Sequence, residues 1–412
     1  MKKVLVVAGT YYPDSMATIG ITQRFAEALA QKDEYEVTAF AARSYSYAKP
    51  SYDEYHNKVK IIDRDDINKR NTLSLSIRDL CYRIFKRISK VTNGRTKLYK
   101  NLYYSMQEHD IADRITRLIQ QDSYDELVTV ALPFRIHTIG SIAKKHNPKI
   151  HWTAISFDPY AFDEVTNKDR KDECIREEQK TLKYCDKIMF LSQFKNDYVN
   201  SILSSKIVYF ELPNIRPLEY NKDLPSVQYD DKRINCVFLG NLYLIQRHPQ
   251  FLFELFHSFH NDSITLYIVG DLIDIPSDYI DTWKGKLGKR LVLAGRVPQE
   301  VAINSMFYAD VLINVGHSTT NQCPSKILDY MSVGKPILSI SKIDNCTSLP
   351  LLNQYSLALT LYEKDGIKSE IVDRCEQFMV SCKKEKLNCS FEVVSSLFSD
   401  FTMDEMIKRF EK

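Results

Sequence analysis

Asn321-Gln322-Cys323-Pro324-Ser325-Lys326-Ile327-Leu328-Asp329-Tyr330-Met331-Ser332-Val333-Gly334-Lys335-Pro336-Ile337 reads as a short helix with both ends marked. Pro324 suits the first helical position, where its missing N–H costs nothing. Gly334 suits a left-handed stop after the last turn, and Pro336 prevents continuation. Strand candidates flank it at Val311–Val315 and Ile337–Ile340, so the stretch is the middle of a strand–helix–strand unit. Lys326 and Asp329, three apart, share one face, while Ile327, Leu328 and Met331 can point into a core. A helix N-terminus with a lysine in its first turn favours a phosphate, and a carboxylate one turn deeper can accept hydrogen bonds from sugar hydroxyls. The pattern therefore reads as a nucleotide-diphosphate seat with a ribose clamp. The plainer alternative is a capped surface helix carrying a solvated Lys-Asp pair.

Outward from this unit, short apolar runs alternate with helical patterns along the chain, which argues for parallel sheets flanked by helices. In the first half the strand candidates are Val4–Val7, Glu36–Phe40, Leu127–Ala131, His151–Phe157 and Ile188–Leu191. In the second half Asn235–Leu239, Thr265–Val269 and Leu291–Ala294 precede the two already named. Pro213-Asn214-Ile215-Arg216-Pro217 separates the sets with turn-forming residues. The expected domains are residues 1–213 and 214–412, with the last helix, about 400–412, placed to pack back on the first domain. The fold class is α/β: two doubly wound Rossmann-like domains facing across a cleft, with ligands at the carboxyl ends of the strands.

The 412 residues are too many for one ordinary core, and 44% hydrophobic with 26% charged residues is the composition of a soluble globular protein. No apolar run reaches bilayer length, and the run after Lys3 ends at Gly9, too short for a secretory signal. Nine cysteines without a C-x-x-C pair point to reduced thiols in a cytoplasmic compartment. His257 and His260 lack a nearby carboxylate or cysteine, so no metal site is expected.

The pattern P-S-K-I-L-D-Y-M-S-V-G-K-P-I resembles the donor-binding helix of nucleotide-sugar glycosyltransferases with the GT-B fold, in the large retaining group that builds bacterial capsules, O-antigens and other surface glycans. The likeness covers most of the chain. Gly9-Thr10-Tyr11-Tyr12-Pro13, then Gly20 and a helix from about Ile21, is similar to the group's opening strand and acceptor-side loop. Phe238-Leu239-Gly240-Asn241 with Arg247-His248-Pro249, Leu266 to Asp271, and Leu293-Ala294-Gly295-Arg296-Val297 follow in the group's order. The resemblance implies an acceptor-side first domain and a nucleotide-sugar-binding second domain. It places Gly240, Arg247, Arg296, Val297, Asn321, Ser325, Lys326 and Asp329 around the nucleotide and donor, and Tyr12 and Gly20 on the acceptor side. It implies a hexosyltransferase-type enzyme acting with retention, whose co-substrate is a nucleotide-diphosphate sugar and which uses no other cofactor. Asp329 falls where the group holds the ribose. Asn321, eight positions earlier, replaces a second acidic residue near the donor sugar. That departure motivates the alternative of a catalytically inactive nucleotide-binding scaffold of the same fold, which turnover of a nucleotide sugar would discriminate. A dinucleotide oxidoreductase is disfavoured because no strand leads into G-x-G-x-x-G.

Transfer from a nucleotide diphosphate must stabilise a pyrophosphate leaving group. Without a metal, cations such as Arg247 and Lys326 and helix dipoles have to do this. In the first domain Leu132-Pro133-Phe134-Arg135-Ile136-His137 follows a strand. His137 reads as a donor to a sugar hydroxyl or an orienter of the acceptor, or else as a helix-start histidine satisfied locally. Asp158, in Phe157-Asp158-Pro159-Tyr160, reads as an acceptor-hydroxyl ligand or base, or simply as a turn former. Glu177 and Glu178 read as solvated helix residues. Between Arg78 and Lys100 the basic residues Arg83, Lys86, Arg87, Lys90, Arg95 and Lys97 interleave with Tyr82, Ile84, Phe85, Ile88 and Tyr99, against the single acid Asp79. This suits an anionic membrane surface first, a solvated helix face second and nucleic acid a distant third, for no nucleic-acid motif accompanies it. Peripheral attachment at the inner face of the cell membrane and a polyprenol-linked saccharide acceptor would fit that segment.

Overall fold

The computed structural model describes residues 1–11, 17–42, 55–63, 97–131, 133–163, 167–245, 247–318, 320 and 325–412. They form two compact units, Met1–Glu211 with Met403–Lys412, and Leu212–Thr402. The chain thus changes unit just before the Pro213–Pro217 turn segment, and its last helix returns to the first unit.

The first unit holds β1 (Lys2–Ala8), β2 (Tyr35–Ala41), β3 (Tyr55–His56), β4 (Val59–Asp63), β5 (Glu126–Val130), β6 (His151–Ser156), β7 (Lys187–Leu191) and β8 (Ile207–Phe210). Their order is β3-β4-β2-β1-β5-β6-β7-β8. Neighbours run parallel except β3 and β4, which form an antiparallel edge hairpin turned by Asn57 and Lys58, both at positive φ. The chain builds outward from β1 to β4, then returns to lay β5 on the other side of β1, so the direction reverses between β1 and β5. Val4 to Val7, Leu127, Val128, Ala154 and Ile155 are all fully buried, the continuous apolar signature of strands covered on both faces. Helix Met403–Glu411 joins this core through Phe410, whose ring meets that of Phe25 edge-on at 5.3 Å. Lys187 donates to the Phe410 carbonyl at 2.6 Å, and Lys32 pairs with Glu411.

The second unit holds β9 (Ile234–Leu239), β10 (Leu242–Tyr243), β11 (Ile264–Val269), β12 (Leu272–Ile273), β13 (Leu291–Gly295), β14 (Val311–Val315), β15 (Ile337–Ser341) and β16 (Ala358–Tyr362). Six form an all-parallel sheet in the order β13-β11-β9-β14-β15-β16, and β10 pairs with β12 beside it. Here the direction reverses between β9 and β14, which puts the expected ligand position at their carboxyl ends. The loops leaving β9 and β11 touch there. A Cβ on Gly270 would lie 2.0 Å from the Gly240 carbonyl oxygen, so only glycine permits this approach.

Candidate functional site

At the reversal point of the second unit, β9 ends at Leu239-Gly240, β14 runs into Gly316-His317 and β15 into Lys342. Helix Ser325–Ser332 lies over this edge. Its Tyr330 is buried, and the hydroxyl accepts the Leu239 backbone N–H at 3.1 Å. Ile327, Leu328 and Met331 are fully buried, as their spacing predicts. The helix stops at Gly334 with φ +72°, where a side chain would strike the Cys389 carbonyl. The expected helix is therefore present over residues 325–332 with its C-terminal stop at Gly334, while Asn321 and Pro324 lie outside the described residues.

Arg247 reaches this edge from the loop after β10. Its Nη2 donates to His317 Nε2, and its Nε is buried without a hydrogen-bond partner among the described residues. Burial lowers the Arg247 pKa. The His317 pKa is pushed down to about 3, first by burial and then by Arg247 and Lys342. Lys342 is itself lowered by burial, with Glu363 opposing from 3.9 Å. Arg247, His317 and Lys342 thus converge at the carboxyl end of the sheet, and no carboxylate among the described residues pairs with the arginine. Such a cluster is built to receive an anion, because a buried guanidinium N–H left unpaired is costly until an acceptor arrives.

Asp329 occupies a different setting from the exposed clamp that its sequence position suggests. It is 8% exposed, and its Oδ1 accepts from Arg216 Nη1 at 2.7 Å and from Asn214 Nδ2 at 3.0 Å. Asn214 Nδ2 also lies 3.0 Å from the Ser325 carbonyl. The turn segment that opens the second unit is therefore stitched to the helix by the carboxylate itself. Lys326 sits half-buried in the first turn and pairs with no described residue, so it does not neutralise Asp329. Gly240 adopts φ +129° at the end of β9. Arg296 is exposed and Val297 half-buried just beyond β13.

In the first unit the structure corrects three expectations. His137 is fully buried, with Nδ1 2.8 Å from Thr129 Oγ1 and Nε2 2.9 Å from Ser156 Oγ. Trp152 Nε1–H donates to the same Thr129 oxygen at 2.8 Å. Thr129 can then give its proton to Nδ1, which leaves Nε2–H to donate to Ser156. Burial pushes the His137 pKa down to about 3, so the ring is neutral. With both nitrogens engaged and no exposed surface, it cannot reach a sugar hydroxyl, and its role is to tie helix Arg135–His146 to β5 and β6. Glu178 is not solvated: it is 3% exposed, Tyr198 Oη lies 2.9 and 2.8 Å from its two oxygens, and burial raises it to about 8. Gly20 lies within helix Ala17–Ala30 and not in a loop, because the apolar face begins at Ile19, ahead of the expected start. Tyr12 lies outside the described residues. So do Arg83, Lys86, Arg87 and Lys90, and with them the basic segment from 78 to 96.

Asp158 does fall on a concavity. A crevice of about 770 Å³ opens beyond β5 and β6, lined by Asp158, Tyr160, Glu108, Arg135, Arg176 and Glu177 among others. The Phe134 and Tyr160 rings stack at 4.0 Å along its wall, and Tyr160 donates to Glu177 at 2.6 Å. Asp158 is exposed to the crevice, and its carboxyl is raised by desolvation there and then by Asp163. Glu108 is pushed up to about 7, chiefly by burial, with Arg135 opposing from 3.5 Å. The mixed carboxylate, guanidinium and aromatic lining can exchange hydrogen bonds with a polyhydroxylated ligand. Among the described residues no group of three or more His, Cys, Asp or Glu could hold a metal ion.

Sequence reasoning missed His317, Lys342, Arg216 and Asn214. The first two carried a readable signal, since each lies just past a strand that was itself legible.

No protein-family model matches the chain, and no curated protein matches its sequence. Solved structures do match in fold. Trehalose-6-phosphate synthase OtsA superposes with TM-score 0.63 at 12% identity, covering 100% of this chain and 99% of that one. HepE from Anabaena, solved with UDP and glucose, gives 0.56 at 12%, covering 100% and 99%. The lipopolysaccharide outer core galactosyltransferase WaaB gives 0.53 at 15%, covering 99% and 98%. The likeness shows the two-domain Rossmann-like GT-B fold.

Proposed function

We propose that this chain is a glycosyltransferase that moves a sugar from a nucleotide-diphosphate donor to a saccharide acceptor. The observation that carries the reading is the buried guanidinium of Arg247, paired with no carboxylate among the described residues, at the reversal point of the second sheet beside His317 and Lys342. A pyrophosphate is the ligand that such a cluster suits, and Lys326 at the start of the adjoining helix adds a further cation. Neighbours of the same fold include one solved with UDP and glucose and another with UDP-2-fluoro glucose, which supports a nucleotide-sugar donor. Asp329 would meet the ribose only with its outer oxygen, since Oδ1 is held by Arg216 and Asn214. In the first unit Asp158 and the Tyr160 wall would take acceptor hydroxyls. Cations take the place of a metal in this scheme, and no cofactor beyond the co-substrate is invoked.

The finer reading is a hexosyltransferase acting with retention in surface-polysaccharide synthesis, at the cytoplasmic face of a membrane and on a lipid-linked saccharide. It rests on the family-like motif and on the basic segment from Arg78 to Lys100. No helix among the described residues is long and apolar enough to cross a membrane, and the reading takes the attachment to be peripheral, through that basic segment. The test is a panel of nucleotide sugars incubated with purified protein and mixed saccharide acceptors. Acceptor-dependent release of nucleoside diphosphate supports the reading, whereas tight nucleotide binding without release under any acceptor overturns it in favour of a binding scaffold.

A further inference from the structure

Arginine can only donate, so the contact between Arg247 Nη2 and His317 Nε2 requires a lone pair on that nitrogen. The imidazole is therefore neutral, with its proton on Nδ1. The buried Arg247 Nε–H has no hydrogen-bond partner among the described residues. The charged groups facing His317 are Arg247 from the loop after β10 and Lys342 from the end of β15, both cationic. Glu363 reaches Lys342, not the imidazole. Tyr330, Tyr243 and Cys346 flank Arg247, and burial raises the Tyr330 pKa, so its phenol stays neutral. Burial disfavours a proton on Nε2 and the guanidinium opposes it further, so the pair as it stands excludes the imidazolium. An anion removes that exclusion, because it offers the guanidinium a stronger acceptor and brings negative charge to the imidazole.

We propose that Arg247 and His317 form an anion-operated clasp: an entering diphosphate takes over the guanidinium, and the released His317 imidazole binds one proton from solvent and joins the ligand as a second cation. This deepens the glycosyltransferase reading and rests on it. The proton comes from water or buffer, no covalent bond changes, and the proton returns to solvent when the diphosphate leaves. His317 is thus a positioning residue whose charge appears only in the occupied site. Free protein keeps the cluster at lower charge, which lessens the repulsion among Arg247, His317 and Lys342.

The experiment is calorimetric titration of UDP, GDP, ADP and dTDP into the full chain, repeated in buffers of different ionisation enthalpy between pH 6 and 8. Comparison with His317→Gln cancels the proton exchange of the nucleotide itself. The clasp predicts that wild type takes up a substantial fraction of a proton more than the variant, most clearly near pH 6, and that its affinity strengthens more steeply as pH falls. Should His317→Gln not fold, the imidazole resonances of wild type decide alone, by moving from the neutral to the charged range on saturation. Binding with no excess uptake and unmoved imidazole resonances overturns the clasp and leaves the nucleotide seat standing. Failure of every nucleoside diphosphate to bind removes the seat and the clasp with it.

Discussion

Replacing Asp329 with alanine separates a structural debt from a ligand contact, because the carboxylate holds two partners before any nucleotide arrives. Arg216 Nη1 lies 2.7 Å from Oδ1, and the side chains of the pair are 19% and 11% exposed. A charge-assisted bond in such a setting contributes about 1.5–3 kcal/mol, and the Asn214 bond adds roughly 0.5–1.5 kcal/mol. Truncation also strands the guanidinium in a half-dry pocket, where a lost partner costs more than the pair's net worth. The expected destabilisation is therefore about 2–4 kcal/mol, read as a lowered urea midpoint with an unchanged slope. Arg216→Met in the same chain should recover part of that loss, so a double-mutant cycle over the two positions should give a coupling of about 1–3 kcal/mol. Asp329→Asn keeps an acceptor for Asn214 and removes the charge, and should fall between wild type and alanine. An Asp329→Ala protein as stable as wild type to within about 0.5 kcal/mol, or a coupling near zero, would refute the assignment of this carboxylate to the fold.

Glu178, raised to about 8, binds a proton in the folded chain that the unfolded chain releases near 4.5, so stability should fall by about 1.4 kcal/mol per pH unit between those values and level off above. Glu178→Gln should remove that component, as denaturation across pH 5 to 9 would reveal; parallel wild-type and variant curves would count against a buried neutral carboxyl. For His137 the sign reverses: its folded pKa of about 3 lies below the unfolded value near 6.5, so stability is lost as pH falls through that window. His137→Gln should flatten the acid limb of the stability curve and leave nucleotide affinity unchanged, whereas a selective loss of turnover would restore a catalytic role. Gly270→Ala should cost on the order of 3 kcal/mol or more, since its Cβ meets the Gly240 carbonyl at 2.0 Å in a left-handed conformation, whereas Gly285→Ala, with open space around it in helix Ser277–Leu287, should gain about 0.5–1 kcal/mol. Equal thermal midpoints for the two variants would contradict the close approach of the loops after β9 and β11.

The central strands were legible because burial on both faces forces continuous apolar runs, as in Val4 to Val7 and Val311 to Val315. Edge strands β8 and β16 were not, for they are mostly half-buried and carry no such run. The β3–β4 hairpin hid in a charged stretch whose turn, Asn57-Lys58, lacks the usual glycine. Within the candidate site, helix Ser325–Ser332 could be read from its punctuation, but Asp329's partners could not, since Asn214 and Arg216 lie 115 and 113 residues away in sequence. His137 shows the same limit: its position after a strand was correct, and only tertiary packing against Thr129, Trp152 and Ser156 reveals that it faces inward. Glu178 did carry a signal. It shares helical spacing with the buried Cys174, Thr181 and Leu182, whereas the adjacent Glu177 turns to solvent.

The claim that most needs testing is that the second unit holds a diphosphate through Arg247. Equilibrium titration of UDP, GDP, ADP and dTDP into wild type and Arg247→Met, at matched pH and low salt, addresses it directly. Methionine fills the buried stem without the charge, so the variant should fold, as its circular dichroism and urea midpoint would verify. At least one nucleotide should bind wild type, and its Kd should weaken about ten- to a hundredfold in the variant, the loss of one charge-assisted contact of roughly 1.5–3 kcal/mol. A nucleoside diphosphate that binds both proteins with the same Kd would place the phosphates elsewhere and contradict the account.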